Sequence, residues 1–203
     1  MLVDANQNYS LHYSKWHNED ANSRLEDIAM YKYILQLHRV FPRTTRDRVL
    51  EIGCGMGRLL LALKAEGYQN LKGIDLSEEL ISIAKKEDLD VISADAVDFL
   101  GTETESYDAI YLFDVLEHIA LERQLGFLKQ LYRKLSESGF LVLQVPNACS
   151  PISSYFRYID WTHVCSFTET SLEYILRNAG FTEINVREAT EPSFELVQMR
   201  ENF

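Results

Sequence analysis

A short apolar run that ends in a glycine cluster and opens at once into a helix constrains this chain more than any other feature. Arg48-Val49-Leu50-Glu51-Ile52 reads as a strand and Gly53-Cys54-Gly55-Met56-Gly57 as its loop. Leu59, Leu60, Leu61 and Leu63 mark a helix that Gly67 stops. The unit then repeats. Leu71 to Asp75 is a second strand, with Ser77 as N-cap of a helix through about Lys86. Asp90 to Ser93 is a third, short strand, and Tyr107 to Phe113 a fourth with Asp114 just beyond it. A helix follows to about Leu135, and Ser138-Gly139 turns the chain into a strand from Phe140 to Val145. Strands alternating with helices predict a mostly parallel α/β sheet.

After Pro146 the pattern breaks until Thr170-x-x-Glu173, read as a capping box, opens a helix ending at Asn178-Ala179-Gly180. Thr182 to Arg187 and Phe194 to Met199 are strands with no helix between them, which predicts an antiparallel hairpin. Before Arg46 a helix near Asn22 to Val40 presents Ile28, Tyr31, Leu35 and Leu37, and Tyr9, Tyr13, Trp16 and His17 precede it. That aromatic segment either covers a ligand pocket or clasps the sheet. At 203 residues the chain can bury a core of its own, and no linker composition divides it. The expectation is one domain: residues 1–45 form a helical cap segment, and residues 46–203 form the core with a loop at 147–167.

Charge and cysteine usage narrow the function. Twenty basic against 31 acidic residues give a formal charge of -11. Nucleic acid draws on Lys and Arg to neutralise phosphate, so a nucleic-acid substrate is not expected. Cys54, Cys149 and Cys165 are an odd number without metal-ligand spacing, which predicts reduced thiols and a cytoplasmic location. The N-terminus lacks signal-peptide character, and no apolar run reaches the ~20 residues that span a bilayer.

In an open α/β sheet, ligands bind beyond the carboxyl ends of the strands. The glycine loop, Asp75, Asp95 and Asp114 all fall at such ends. Glycines let the backbone approach a ligand, and the next helix offers unpaired N–H groups. An acid ending the second strand can accept both ribose hydroxyls. A dinucleotide site wants a third small residue where Arg58 stands, whereas this loop reads Gly-x-Gly-x-Gly. Glu51 just before it suits the ammonium of a methionine moiety better than a pyrophosphate.

With these residues the chain resembles the class I S-adenosylmethionine-dependent methyltransferases, over about Val49 to Met199. Val49-Leu50-Glu51-Ile52-Gly53-Cys54-Gly55-Met56-Gly57 is similar to that family's first motif, and Gly73-Ile74-Asp75-Leu76-Ser77 to its second. Ala94-Asp95-Ala96 resembles the segment flanking adenine. Tyr107-Asp108-Ala109-Ile110 through Asp114-Val115-Leu116-Glu117-His118 resembles the fourth motif of the small-molecule branch. The resemblance implies a Rossmann-like α/β fold, seven-stranded and mostly parallel with an antiparallel last strand and helices on both faces. It implies S-adenosyl-L-methionine as cofactor, leaving S-adenosyl-L-homocysteine, held by Glu51, Gly53, Cys54, Gly55, Gly57, Asp75, Leu76, Asp95, Ala96 and Asp114. It also implies direct in-line displacement by a substrate nucleophile.

The acceptor is expected at Asn147 to Phe167, because long irregular insertions in compact domains are commonly lids or binding loops. Tyr155, Arg157, Tyr158 and Trp161 are the substrate-binding candidates. His163 is the candidate general base, since a neutral imidazole is available near pH 7, and Asp160 three residues earlier is the group to orient it. Asp160 through Thr168 also resembles a segment of methyltransferases from surface-polysaccharide and sugar biosynthesis. His118 reads as the structural start of a helix. Asp114 lines the methyl-transfer region, and no metal is expected, because no second and third carboxylate follows it at ligand spacing. The partners expected are therefore a small-molecule acceptor, such as a sugar or glycan hydroxyl, and at most a second copy in a homodimer. A quinone precursor or other metabolite is the alternative acceptor. A non-catalytic S-adenosylmethionine-binding regulator is the alternative of another class, and an NAD-dependent dehydrogenase a distant third.

Overall fold

The computed structural model describes residues 21–188 and 194–200. The aromatic positions Tyr9, Tyr13, Trp16 and His17 lie outside the described residues. Strands β1 (Arg48–Ile52), β2 (Asn70–Asp75), β3 (Asp90–Ser93) and β4 (Tyr107–Phe113) match the predicted apolar runs to within a residue. Beyond them come β5 (Leu135–Pro146), β6 (Glu183–Glu188) and β7 (Phe194–Arg200). Among the described residues these pair in the order β3-β2-β1-β4-β5-β7-β6. The pairs from β3 through β5 are parallel, and β7 lies antiparallel between β5 and β6.

Alternation along the central strands divides the core. Leu50, Ile52, Ile110, Leu112, Leu141 and Leu143 face one side, where they meet Phe127, Leu128, Leu131, Leu172 and Leu176. Those partners come from helices α5 (Leu121–Lys134) and α7 (Glu169–Ala179). Val49, Ala109, Tyr111, Phe113, Phe140 and Val142 face the other side, against Ile34, Leu35, Leu59 and Leu63. Here the cover is α1 (Ala21–His38) and α2 (Arg58–Ala65). A period of two in the strands thus yields helices on both faces. Helix α3 (Glu78–Lys85) packs Ile81 and Ala84 against Cys54 and Leu60, while Ser77 caps it as expected, accepting from the Leu80 amide.

Three local readings are corrected. The Ser138-Gly139 turn is a bulge within β5, since pairing steps from Tyr107↔Leu135 to Ala109↔Phe140 with Ser136–Gly139 looped out. The capping box opening α7 is Thr168 with Ser171, two residues earlier than expected. Phe167 is still paired to Pro146, so the first residue able to turn inward is Thr168. The stretch 147–167 contains a helix, α6 (Ser153–Ile159), which Ser-Ser-Tyr-Phe-Arg-Tyr-Ile conceals through its aromatic and β-branched content. A further short helix, α4 (Ala96–Thr102), follows β3. Among the described residues no helix is long and apolar enough to cross a membrane.

Candidate active site

Parallel register brings the predicted ligand-binding positions to one edge. Ile52 pairs with Ile74 and with Leu112, and Asp75 pairs with Ser93, so the residues that follow these strands emerge together. The loop after β1 is pinned to β2 by the amides of Gly53 and Cys54, which both donate to the Ile74 carbonyl at 2.8 and 3.0 Å. Gly53 has φ 75° and Gly57 φ 74°, a region that L side chains rarely adopt. A Cβ at Gly53 would stand 2.3 Å from Val115 Cγ2, and one at Gly57 2.4 Å from Leu89 Cδ1. Both glycines are therefore required by the backbone and by their neighbours. Gly55 differs, since a Cβ there would meet nothing closer than Leu80 Cδ1 at 3.8 Å. The loop keeps open room at that point.

Asp75 organises the cradle from beneath. Its Oδ2 accepts from the Gly55 amide and its Oδ1 from the Ser77 amide, each at 2.8 Å. A carboxylate offers about four lone-pair sites, more than these two bonds use. Glu51 shares the face of Val49 and is buried, with Oε2 lacking any hydrogen-bond partner. Desolvation, then the charge of Asp75, push its carboxyl well above the ordinary range, against an opposing amide bond from Leu60. A buried unsatisfied carboxyl oxygen is costly unless a cation or donor meets it. The ammonium of a methionine moiety fits that need. Arg58, the residue that disfavoured a dinucleotide, is buried at the start of α2 and pairs with Asp27 of α1 at 3.7 Å. Burial, then Glu51 and Asp75, push the Cys54 thiol up, which leaves it a packing residue of the loop.

Asp95 is the N-cap of α4, its Oδ1 accepting from Val97 and Asp98 amides at 2.8 and 3.1 Å. This capping role was missed, although Asp before a short apolar stretch is its usual signal. Ala96 opens that helix, and Leu76 is exposed on the same edge. Asp114 has φ 54° and is held by Gln144, whose Nε2 donates to Oδ1 and Oδ2 at 3.3 and 3.1 Å. Desolvation pushes its carboxyl up to about 6, with the Gln144 bond acting against the rise. Tyr31 of α1 stacks on Phe113 at 5.9 Å, which brings that helix over the strand end.

The stretch 147–167 is closed at its base. Phe167 donates to the Pro146 carbonyl and Ala148 to the Phe167 carbonyl. Tyr155, Tyr158 and Trp161 are 60%, 75% and 90% exposed, so they form an open surface. Arg157 lies over the Tyr158 ring at 5.1 Å and donates to the Val164 carbonyl at 3.1 Å. The same stretch also joins a polar cluster in which Glu117 and Asp160 are buried and His118, Thr162 and His163 half-buried. Asp160 Oδ1 accepts from the Thr162 amide at 2.7 Å and its hydroxyl at 2.6 Å, and Thr162 Oγ1 meets His118 Nδ1 at 2.8 Å. His163 Nε2 stands 3.8 Å from Asp160 Oδ2 and 3.9 Å from Glu117 Oε1, beyond hydrogen-bond length. The rings of His118 and His163 meet edge to face, with centroids 4.6 Å apart. Burial acts to raise Asp160, but the two Thr162 bonds and the neighbouring imidazoles outweigh it and hold the carboxyl low. Desolvation, then Asp114 and Asp160, push Glu117 well above the usual carboxylate range. Glu117 and Thr162 were missed as site residues. The only sequence signal for Glu117 was an acid inside an apolar turn.

A parallel sheet closed by an antiparallel strand, with a left-handed glycine cradle after β1 and an acid at or just beyond the ends of β2, β3 and β4, is the architecture of class I S-adenosylmethionine-dependent methyltransferases. The chain belongs to the methyltransferase domain family, which it matches over residues 24–186. A methyltransferase candidate from Geobacillus sp. (strain WCH70) is 27% identical over 139 residues, covering 66% of this chain and 56% of that protein. Ubiquinone biosynthesis O-methyltransferase from Hydrogenovibrio crunogenus is 32% identical over 93 residues, covering 42% of this chain and 37% of that one. The chain thus spans about half or less of these relatives' lengths. The crystal structure of a SAM dependent methyltransferase from Archaeoglobus fulgidus superposes with a TM-score of 0.77 at 22% identity, over 95% of this chain and 99% of the other. That likeness establishes the fold.

Proposed function

We propose that this protein transfers a methyl group to a hydroxyl of a small molecule, a sugar or glycan precursor or a similar metabolite. S-adenosyl-L-methionine would supply an electrophilic methyl on a sulfonium, and S-adenosyl-L-homocysteine would remain. Glu51 would receive the ammonium and Asp75 the ribose hydroxyls. Asp95, Leu76 and Ala96 would flank the adenine, and Asp114 would border the methyl. Holding two reactants in line can account for much of a barrier, so the cradle's chief task is positioning. His163 would take the acceptor's proton, while Tyr155, Arg157, Tyr158 and Trp161 would receive the acceptor's body. The cap of residues 1–45, a cytoplasmic location and a homodimer complete this reading.

The observation that carries it is the cluster of buried Glu117 and Asp160 with half-buried His118, Thr162 and His163, which joins the end of β4 to the base of the 147–167 stretch. A purely regulatory binder would have no need of an imidazole pair there. The ubiquinone-pathway relative supports a phenolic quinone precursor as a second reading of the acceptor.

The test is transfer of labelled methyl groups into a metabolite extract, with small molecules and proteins separated afterwards. Label in a small hydroxyl compound is expected. Label confined to protein, or no transfer despite S-adenosylhomocysteine binding, would overturn the small-molecule enzyme.

A further inference from the structure

One oxygen of Glu117 and one ring nitrogen each of His118 and His163 lie within 4.8 Å of one another. We propose that these three residues hold a divalent first-row transition ion. Glu117 is fully buried, and neither carboxylate oxygen meets a hydrogen-bond partner on another residue. A carboxyl in that position either takes up a proton or needs a cation to hold it ionised, and a bound ion would supply that charge. The Val164 amide donates to the Glu117 carbonyl at 2.8 Å, so the segment bearing His163 is clamped beside that carboxylate.

The proton inventory prepares His118 as a ligand. The Thr162 hydroxyl has a single proton and gives it to Asp160 Oδ1, because a carboxylate can only accept. Thr162 Oγ1 must then accept from His118 Nδ1–H, which puts the lone pair of the neutral ring on Nε2. Carboxylate and hydroxyl partners behind an imidazole are how metal-bound histidines are oriented. The 3.9 Å between His163 Nε2 and Glu117 Oε1 is too long for a hydrogen bond. Two ligands at roughly 2.0–2.2 Å from one ion stand about 3.3–3.6 Å apart at a tetrahedral angle, so an ion would draw these two side chains slightly together. Asp160 Oδ2, 3.8 Å from the same nitrogen, adds negative charge at the site.

Two imidazoles with one carboxylate favour Mn²⁺, Fe²⁺, Co²⁺ or Zn²⁺ over Mg²⁺ or Ca²⁺, and three protein ligands leave coordination positions open. The use of that opening rests on the methyl-transfer reading. A hydroxyl oxygen bound there would release its proton to solvent more readily, its electron pair staying on oxygen. His163 would then serve as a ligand, and the favoured acceptor would be an oxygen nucleophile able to coordinate. The expectation of no metal looked for carboxylates after Asp114, whereas the donors include a histidine brought from 45 residues beyond His118.

The test is titration of the chelator-stripped full chain with Mn²⁺, following loss of the free-ion electron paramagnetic resonance signal, with Zn²⁺ as competitor. One ion per chain is expected, weakened at least tenfold by Glu117→Gln and by His163→Gln. Affinity for S-adenosylhomocysteine, measured by calorimetry, should stay within threefold. Should Glu117→Gln fail to fold, His163→Gln carries the comparison. No Mn²⁺ or Zn²⁺ uptake at millimolar ion, or uptake that both folded variants retain, would overturn the site. Loss of S-adenosylhomocysteine binding in the unaltered chain would instead strike at the methyltransferase reading and leave the ion measurement standing.

Discussion

The glycine cradle and the 147–167 stretch sit at the same strand edge, yet they are built by different means. The cradle is made of backbone. Gly53, Gly55 and Gly57 all have positive φ, and the loop is fastened by amides to Ile74 and to Asp75. The stretch beside it is made of side chains, with Asp160, Thr162 and His163 converging on Glu117 and His118 from distant sequence. Backbone geometry suits a cofactor that never changes, whereas side chains can be exchanged to suit an acceptor. The same division of labour between scaffold and variable loop is general in α/β enzymes.

The largest expected effect should fall on one side of this division only. His163→Ala lowers turnover on the true acceptor by ~10²–10⁴-fold while S-adenosylhomocysteine affinity stays within about threefold. A loss of turnover below about threefold in steady-state assays would remove His163 from the chemistry. Glu51→Gln works on the other side. It should weaken S-adenosylhomocysteine by roughly 10–100-fold, the worth of a charge-assisted hydrogen bond. The thermal midpoint of the ligand-free protein should hold or rise, since a lone buried carboxyl is removed. Calorimetry and a melt together check the pair.

Gly53→Ala tests whether the cradle is backbone in the sense argued. It should cost at least ~1–2 kcal/mol in denaturant unfolding from the left-handed conformation alone, before Val115 has moved aside. A smaller effect is expected away from the site. Burial acts to raise Glu103, but the Glu105 amide, the Tyr107 hydroxyl, the Thr104 amide and Lys72 outweigh it and hold its carboxyl at about 2, below the ordinary 4.5. A folded value below the unfolded one gives stability that is full above pH 4.5 and lost as pH falls towards about 2. Glu103→Gln should therefore flatten that part of the acid-unfolding curve. Trp161→Ala should be the mildest. At 90% exposure the side chain has little to lose, so stability should change by less than ~0.5 kcal/mol. A raised KM for the acceptor with unchanged S-adenosylhomocysteine binding would mark Trp161 as a substrate contact.

Much of the cofactor edge was legible in the sequence, because its signals are local. Gly-x-Gly-x-Gly after an apolar run and an acid ending the next strand report backbone conformation and strand position directly. The capping role of Asp95 was missed because the helix it opens is only seven residues long. The proposed acceptor side could be picked out of the sequence as a region but not as a site. His163 was singled out with Asp160 as its partner, while the two hydrogen bonds that Asp160 accepts from Thr162 were not foreseen. Glu117 read as part of a turn, and nothing near it in sequence shows that its carboxyl ends up buried.

By itself, then, the sequence determined the alternation of strand and helix, the left-handed loop and the row of acids that follows the strands. These depend on φ preferences, periodicity and capping, all set within a few residues. Only the tertiary structure decided that Glu117 and His118 come together with His163, and that Glu51 keeps an unmet oxygen beside the cradle. Burial and long-range contact create those properties, and neither is encoded at any one position. The glycine loop announces a cofactor, whereas the side-chain cluster proposed for the acceptor consists of contacts that exist only once the chain has folded.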